Sequence, residues 1–552
     1  MKIRIFIVFL LLAFVLKSYS QPFNITATIP YNGSCASGQY QIFRSSSINN
    51  ITLNNLRKPL IFVEPYDANN KNDIATIKGI LYSNNSNNLG SQINNLGYDI
   101  IILNFNDGGD YIQKNAFLLV ELIKKINAQK PNSEQLVVMG FSMGGLVARY
   151  ALTYMEQHTS TTGAHQTRLY ISYDAPHKGA HIPIGLQALA LNFNHNIYLN
   201  ASPVLAAAIN QFTRPAGQQM LKYRITSPTQ AAGEIQPSST YTAFMEELNT
   251  LNDCRGFPSN CRNVAFSLGS WNAVGQRSNL DLDNNGVKDL QHTGVPMLYI
   301  NFSKGAGHSG WIFNSNTCQI VSAIGFQTSL SSAYSENYPY FNQRSSYANL
   351  GSNKYATYWY VNAGGPFTIL FPQGSWSRFW YYRNYTPEDI APGSFLPMYS
   401  DIANGFGSIA DCCFAVSNNS TFVSTVSALA FNTEDLFYNI SADPNRLNKT
   451  PFDAIYGITG ENTSHESNQA SNVSIVNSLI DEISHNYGFT HNGNVNFVNQ
   501  TVNTNTTVTS NCNINVQNVT VTNNKKLILD AENETTINGS FEVQLGSELE
   551  IK

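Results

Sequence analysis

The stretch Leu136-Val137-Val138-Met139-Gly140-Phe141-Ser142-Met143-Gly144-Gly145-Leu146-Val147-Ala148-Arg149-Tyr150 restricts the fold more than any other part of this chain. An unbroken apolar run, of the kind found in a parallel strand covered on both faces, enters a Gly-x-Ser-x-Gly turn. It leaves as an amphipathic helix with Met143, Leu146, Val147, Tyr150, Ala151 and Tyr154 on one face. That context separates it from a chance glycine-rich turn. It reads as a strained strand-to-helix elbow that lifts a serine hydroxyl clear of the sheet, with glycines where any Cβ would strike neighbouring backbone. Ser142 then stands at a helix N-terminus, where the dipole favours a developing anion.

The flanking sequence predicts the sheet that an elbow needs. Lys58 to Val63, Tyr98 to Asn104, Leu136 to Met139 and Leu169 to Tyr173 read as buried strands, and a helix is expected from about Tyr111 to Ile126. Strands alternating with helices specify an α/β fold, a mostly parallel sheet with helices on both faces. Val264 to Leu268 and Met297 to Ile300 are candidates to extend it. The expected organisation is an N-terminal extension over 21–54 and a catalytic body over 55–487. The body carries a helical cap insertion at about 185–260 and an aromatic, loop-rich insertion at about 302–414. From 488 to 552 short alternating segments separated by Asn and Gly predict a small all-β module of stacked rungs.

A serine hydroxyl is a poor nucleophile until a histidine takes its proton, and a carboxylate holds that histidine in the right tautomer. After an elbow of this type the partners follow in the order acid, then histidine, with the histidine between the last strand and the last helix. Phe452 to Gly457 reads as that strand and Val473 to Ile483 as that helix, so His465 has the right address. His308 is the rival. For the acid, Asp174, directly after the strand next to the elbow, is preferred over Asp401, with Asp411 third. The oxyanion donors are expected to be the backbone N–H groups of Met143 and, because Pro65 has none, of Tyr66 in the turn Glu64-Pro65-Tyr66-Asp67.

Gly-Phe-Ser-Met-Gly-Gly-Leu-Val-Ala-Arg-Tyr at 140–150, Asp-Ala-Pro-His-Lys-Gly-Ala at 174–180 and Glu-Asn-Thr-Ser-His at 461–465 resemble the lipase and esterase branch of the α/β-hydrolases, of the secreted bacterial type. The resemblance spans about 55–485. It implies an α/β-hydrolase fold and ester hydrolysis through Ser142, Asp174 and His465. Two departures stand out: Glu64-Pro65-Tyr66-Asp67 replaces the usual His-Gly oxyanion turn, and Asp174 stands where lipases commonly carry Thr or Ser.

A second motif, Asp281-Leu282-Asp283-Asn284-Asn285-Gly286-Val287-Lys288-Asp289, offers Asp281, Asp283, Asn285, Val287 and Asp289 as oxygen ligands of a candidate structural calcium loop. His292 occupies the position of the usual bidentate Glu, so the alternative is a solvated Asp/Asn turn. Catalysis itself calls for no cofactor.

Met1 to Arg4 is basic, Ile5 to Leu16 is apolar but too short to span a bilayer, and Ser18-Tyr19-Ser20 precedes Gln21, so 1–20 reads as a secretory signal peptide. No other apolar stretch reaches spanning length, and an extracellular or cell-surface location is expected. Export permits disulfides, and among seven cysteines Cys254 and Cys261 are the preferred pair. A net charge of −4 with 12% charged residues gives no basic stripe, which argues against nucleic acid as partner. The expected activity is hydrolysis of carboxylic esters of lipid-like substrates. A peptidase or thioesterase would use the same residues, and an adhesin with an inert body is the rival from another class. The C-terminal module is expected to contact the cell surface or an export machinery.

Overall fold

The computed structural model describes residues 21–44, 51–82, 88–183, 187, 210–224, 237–252, 255–276, 388, 391–398, 400, 419–466, 473–488, 495–510, 513–531 and 534–552. It also gives the backbone of strands at 233–234, 295–301, 319–324, 342–346, 354–360, 376–382 and 412–415. The expected signal peptide lies outside these residues.

Eight strands form the main sheet: β1 (Phe23–Thr26), β2 (Ser37–Phe43), β3 (Lys58–Val63), β4 (Tyr98–Phe105), β5 (Leu136–Phe141), β6 (Thr167–Tyr173), β7 (Arg262–Ser270) and, after a long insertion, β10 (Ala454–Ile458). Their order is β1-β2-β4-β3-β5-β6-β7-β10. All neighbours from β4 to β10 run parallel, while β2 is antiparallel to β1 and β4. The expected 21–54 extension therefore supplies two strands to this sheet. Tyr40 and Ile42 are buried while Gln39 and Gln41 are half-buried, the period-two pattern of a strand near a sheet edge. Met297–Ile300 does not extend the sheet. It lies in Val295–Asn301, which pairs antiparallel with Gln319–Ile324 and Cys412–Ala415 in a separate seven-stranded sheet. A short apolar run fits either sheet equally well, and only its long-range partner decides.

The parallel strands are apolar on both faces because both are covered. Ile61 and Val63 of β3, with Leu136 and Val138 of β5, pack in one core with α3 (Ile112–Gln129) and α4 (Met143–Gln157). Leu60, Phe62, Val137 and Met139 point the other way, into a core shared with α1 (Ile74–Leu81), α2 (Leu89–Asn95) and the closing helix α7 (Val473–Ser484). Asp73 and Asn88 cap α1 and α2 by accepting the N–H groups of Thr76 and Ser91, each at 2.8 Å.

The described residues of the expected cap include α5 (Pro215–Met220) and α6 (Ser239–Asn249). Arg149 of α4 is 1% exposed and anchors the chain that leaves α6. It donates to Gly256 O at 3.1 Å, to Asn249 Oδ1 at 2.9 Å and to Arg255 O, and its guanidinium lies over Phe257. Arg149→Met keeps the stem but removes three hydrogen bonds, at about 1 kcal/mol each, with Gly256 O still bonded to the Thr153 hydroxyl at 2.9 Å. Thermal unfolding should show a fall in Tm of several degrees; an unchanged Tm would mean that another contact holds the 249–256 loop.

The C-terminal module consists of β11 (Val495–Val502), β12 (Thr506–Ser510), β13 (Asn513–Val521), β14 (Lys526–Ala531), β15 (Glu534–Ile537), β16 (Phe541–Val543) and β17 (Glu548–Ile551). β13 pairs in parallel with β11, β15 and β16, and β14 with β12 and β17. Each rung stacks on the one before, as the alternating segments predict. Ile514, Val516, Val519, Val521, Leu527 and Leu529 fill the space between the two sheets. Outside, Asn515 donates to Asn496 at 3.1 Å and Asn518 to Asn499 at 2.9 Å, forming asparagine ladders across rungs. Asn499, Asn518 and Gly539 turn corners at positive φ, where Asn and Gly are the least strained residues.

Candidate active site

The elbow is built from close backbone approach. Ser142 has φ 54° and ψ −126°, and its N–H donates to Tyr173 O at 2.9 Å, tying the turn to the end of β6. A Cβ at Gly140 would lie 2.1 Å from Gly144 O, and one at Gly144 would lie 2.5 Å from Val63 O. Both positions therefore exclude every side chain. Ser142 is the N-cap of α4, yet its side chain makes no capping bond. Its hydroxyl is engaged by His465 instead.

His465 follows β10 in a loop held by β8 (Gly393–Phe395), a strand paired with β9 (Thr421–Ser424). The His465 N–H donates to Phe395 O at 2.7 Å, and Thr463 bonds back to Leu268 O through its N–H and hydroxyl. These bonds aim the imidazole. Nε2 lies 2.8 Å from Ser142 Oγ and Nδ1 lies 2.7 Å from Asp174 Oδ2. The ring stacks on Phe141 and meets Phe422 edge-on, with both centroid separations at 5.0 Å.

Asp174 is fully buried one residue beyond β6, at φ 49°. Its N–H donates to Phe266 O at 2.7 Å, and its Oδ1 accepts the Leu268 N–H at 2.9 Å. One carboxylate oxygen is thus fixed by β7 and the other faces His465. With Nδ1–H donated to Asp174, Nε2 carries the lone pair that faces the serine. The structure brings Ser142, His465 and Asp174 into one line of short contacts, while His308, Asp401 and Asp411 lie outside the described residues, as does the whole calcium motif.

One contact had no signal in the sequence. Ser394 of β8 is fully buried, with Oγ 3.3 Å from the same His465 Nδ1 that faces Asp174. Nothing in Pro392-Gly393-Ser394 marks it, because it belongs to a strand defined only by its pairing. Removing one neutral hydrogen bond costs about 1 kcal/mol, so Ser394→Ala should lower kcat by roughly fivefold. A loss of several orders of magnitude would assign it a far larger role than orientation.

The two expected oxyanion donors lie at the start of α4 and in the turn after β3. Met143 is the first residue of α4 and is fully buried. Gly144 rests on the carbonyls of Val63 and Glu64, which brings the turn after β3 against the elbow. Tyr66 follows in that turn. Its hydroxyl donates toward Asn210 O at 3.2 Å and Gln211 O at 3.1 Å, linking the turn to the segment ahead of α5.

The expected Cys254–Cys261 disulfide is not formed: Cys261 is a free thiol, fully buried beside β7. It donates to Asn263 Oδ1 at 3.5 Å, and burial raises its pKa well above the usual thiol value. The side chain is turned into the core, and Cys254 lies outside the described residues. Sequence proximity of two cysteines says nothing about which way either points.

The strand order, the elbow after β5 and a histidine loop after the last strand define the α/β-hydrolase fold. Residues 61–236 match the family described as the PGAP1-like alpha/beta domain. No curated protein matches the chain. Similar solved structures include a lipase from Bacillus licheniformis in mature form, at 14% identity over 41% of this chain and 71% of that one, with a TM-score of 0.25. A hyperthermophilic esterase from Pyrobaculum calidifontis is 11% identical over 47% of this chain and 68% of that one, with a TM-score of 0.26. A thermophilic carboxylesterase cloned from a metagenomic library is 13% identical over 47% and 72%, with a TM-score of 0.25.

Proposed function

We propose that this chain is a secreted serine hydrolase that cleaves carboxylic esters of lipid-like substrates. The observation that carries the reading is the run of contacts from Ser142 Oγ to His465 Nε2 at 2.8 Å and from His465 Nδ1 to Asp174 Oδ2 at 2.7 Å. Ser142 Oγ attacks the ester carbonyl carbon as His465 takes its proton, and Asp174 stabilises the imidazolium. The oxyanion is held by the N–H groups of Met143 and Tyr66. Collapse breaks the C–O bond, and the departing alkoxide takes the proton from His465. Water then attacks the acyl-serine with His465 as base, releasing the acid and restoring the hydroxyl.

Phe141 and Phe422 enclose the imidazole in apolar surroundings. A fluorophosphonate probe should label the native protein, and p-nitrophenyl esters of increasing chain length should be turned over. Absence of both labelling and turnover would leave the body inert, as in the adhesin alternative, whereas labelling with peptide cleavage but no ester turnover would make it a peptidase. Calcium at Asp281–Asp289 and contact of the C-terminal module with the cell surface or an export machinery belong to the same proposal. Among the described residues, no helix is long and apolar enough to cross a membrane. For calcium, titration calorimetry should give a single site that Asp283→Ala removes.

A further inference from the structure

Glu64 directly follows β3 and opens the turn Glu64-Pro65-Tyr66-Asp67. It is 1% exposed. Its N–H donates to Leu103 O at 3.3 Å, carrying the β3–β4 ladder one residue past the end of β3. The side chain then crosses to β4: Oε2 accepts the Phe105 N–H at 2.6 Å and the Asn104 amide at 3.1 Å. Asn104 also donates to Asn72 O at 3.2 Å, so one amide joins Glu64 to the far end of the same loop. Asp67 closes the loop from within by accepting the N–H groups of Asn69 and Asn72, the latter at 2.6 Å. On the opposite side, the carbonyls of Val63 and Glu64 press on Gly144, two residues after Ser142.

We propose that Glu64 is a positioning residue that acts as a neutral carboxylic acid, clamping the turn after β3 to β4 so that the Tyr66 N–H is held at the oxyanion position. The proposal rests on the hydrolase reading given above. Glu64 Oε1 is buried and has no hydrogen-bond partner among the described residues. Ionised, the buried carboxylate has donors on Oε2 alone to offset its charge, and Oε1 stays an unpaired acceptor; protonation removes the charge. Burial is accordingly the main cause that raises the Glu64 pKa to about 8, with Asp67 adding to it. Asp67 is the charged group that faces Glu64. From β4 it meets the neutral Asn104 amide and the Phe105 N–H, from the segment ahead of α1 it meets Asn72, and its own carbonyl lies against Gly144 at the start of α4.

The neutral form is present below about pH 8, and ionisation above it places a negative charge two residues from the N–H that must bind an oxyanion. Rate should therefore fall on the alkaline side. The test compares wild type, Glu64→Gln and Glu64→Ala for kcat and KM on p-nitrophenyl butyrate from about pH 6 to pH 10, with far-ultraviolet circular dichroism to verify folding. Glu64→Ala should lose roughly 10–100-fold in kcat with little change in KM, as expected when an oxyanion donor is displaced. Glu64→Gln, which mimics the protonated acid, should recover kcat at pH 7 and lack the wild-type alkaline fall. An identical alkaline fall in Glu64→Gln, or a folded Glu64→Ala with wild-type kcat, would overturn the proposal. Wild type that neither reacts with fluorophosphonate nor turns over ester would instead overturn the hydrolase reading itself.

Discussion

Ser142→Ala is expected to abolish labelling by fluorophosphonates and to lower ester turnover on the order of 10⁶-fold, to the level of oxyanion binding and proximity alone. The size of the effect follows from the geometry. Ser142 Oγ is the hydroxyl opposite His465 Nε2, and in the proposed mechanism no covalent intermediate forms without it. The fold should survive, because the side chain makes no capping bond and the elbow is held by its backbone bond to Tyr173 O. Tm should therefore stay within a few degrees of wild type. Turnover persisting at more than about a thousandth of the wild-type rate would show that another residue is the nucleophile.

Asp174→Asn gives the second large effect and isolates the role of charge from that of shape. Asparagine fills the same buried space and can still accept the Leu268 N–H, as Asp174 Oδ1 does at 2.9 Å. Facing His465, however, an amide donates where the carboxylate accepted. Nδ1 must then carry the lone pair and Nε2 the proton, which is the wrong tautomer for taking a proton from Ser142. A fall in kcat on the order of 10⁴-fold at neutral pH is expected, with KM changed far less. Stopped-flow measurement of acylation would place the loss in the step that needs a base. A variant within tenfold of wild type would remove Asp174 from the acid role and return attention to Asp401 and Asp411.

Much of the body was legible because its strands are buried on both faces. Lys58 to Val63 and Leu136 to Met139 are apolar runs with no competing pattern, and the elbow glycines mark contacts that no side chain tolerates. His465 was legible by address, from a strand before it and a helix after it. What escaped the sequence depends on long-range pairing. Residues 21–54 join the sheet through β2 and β4, Met297–Ile300 belongs to a different sheet, and Ser394 reaches His465 only because β8 hydrogen-bonds to the histidine loop. Cys261 escaped for another reason: its environment is set by the core beside β7, not by the spacing to Cys254.

The bond from His465 to Ser142 spans 323 residues of chain. A ribosome completes the elbow long before it makes the base, and a chain cut anywhere ahead of β10 holds an unactivated hydroxyl. On the proposed reading, reactivity is switched on late in synthesis and depends on the β8–β9 ribbon having docked. Hydrolytic activity should consequently serve as a sensitive reporter of whether the whole body has assembled.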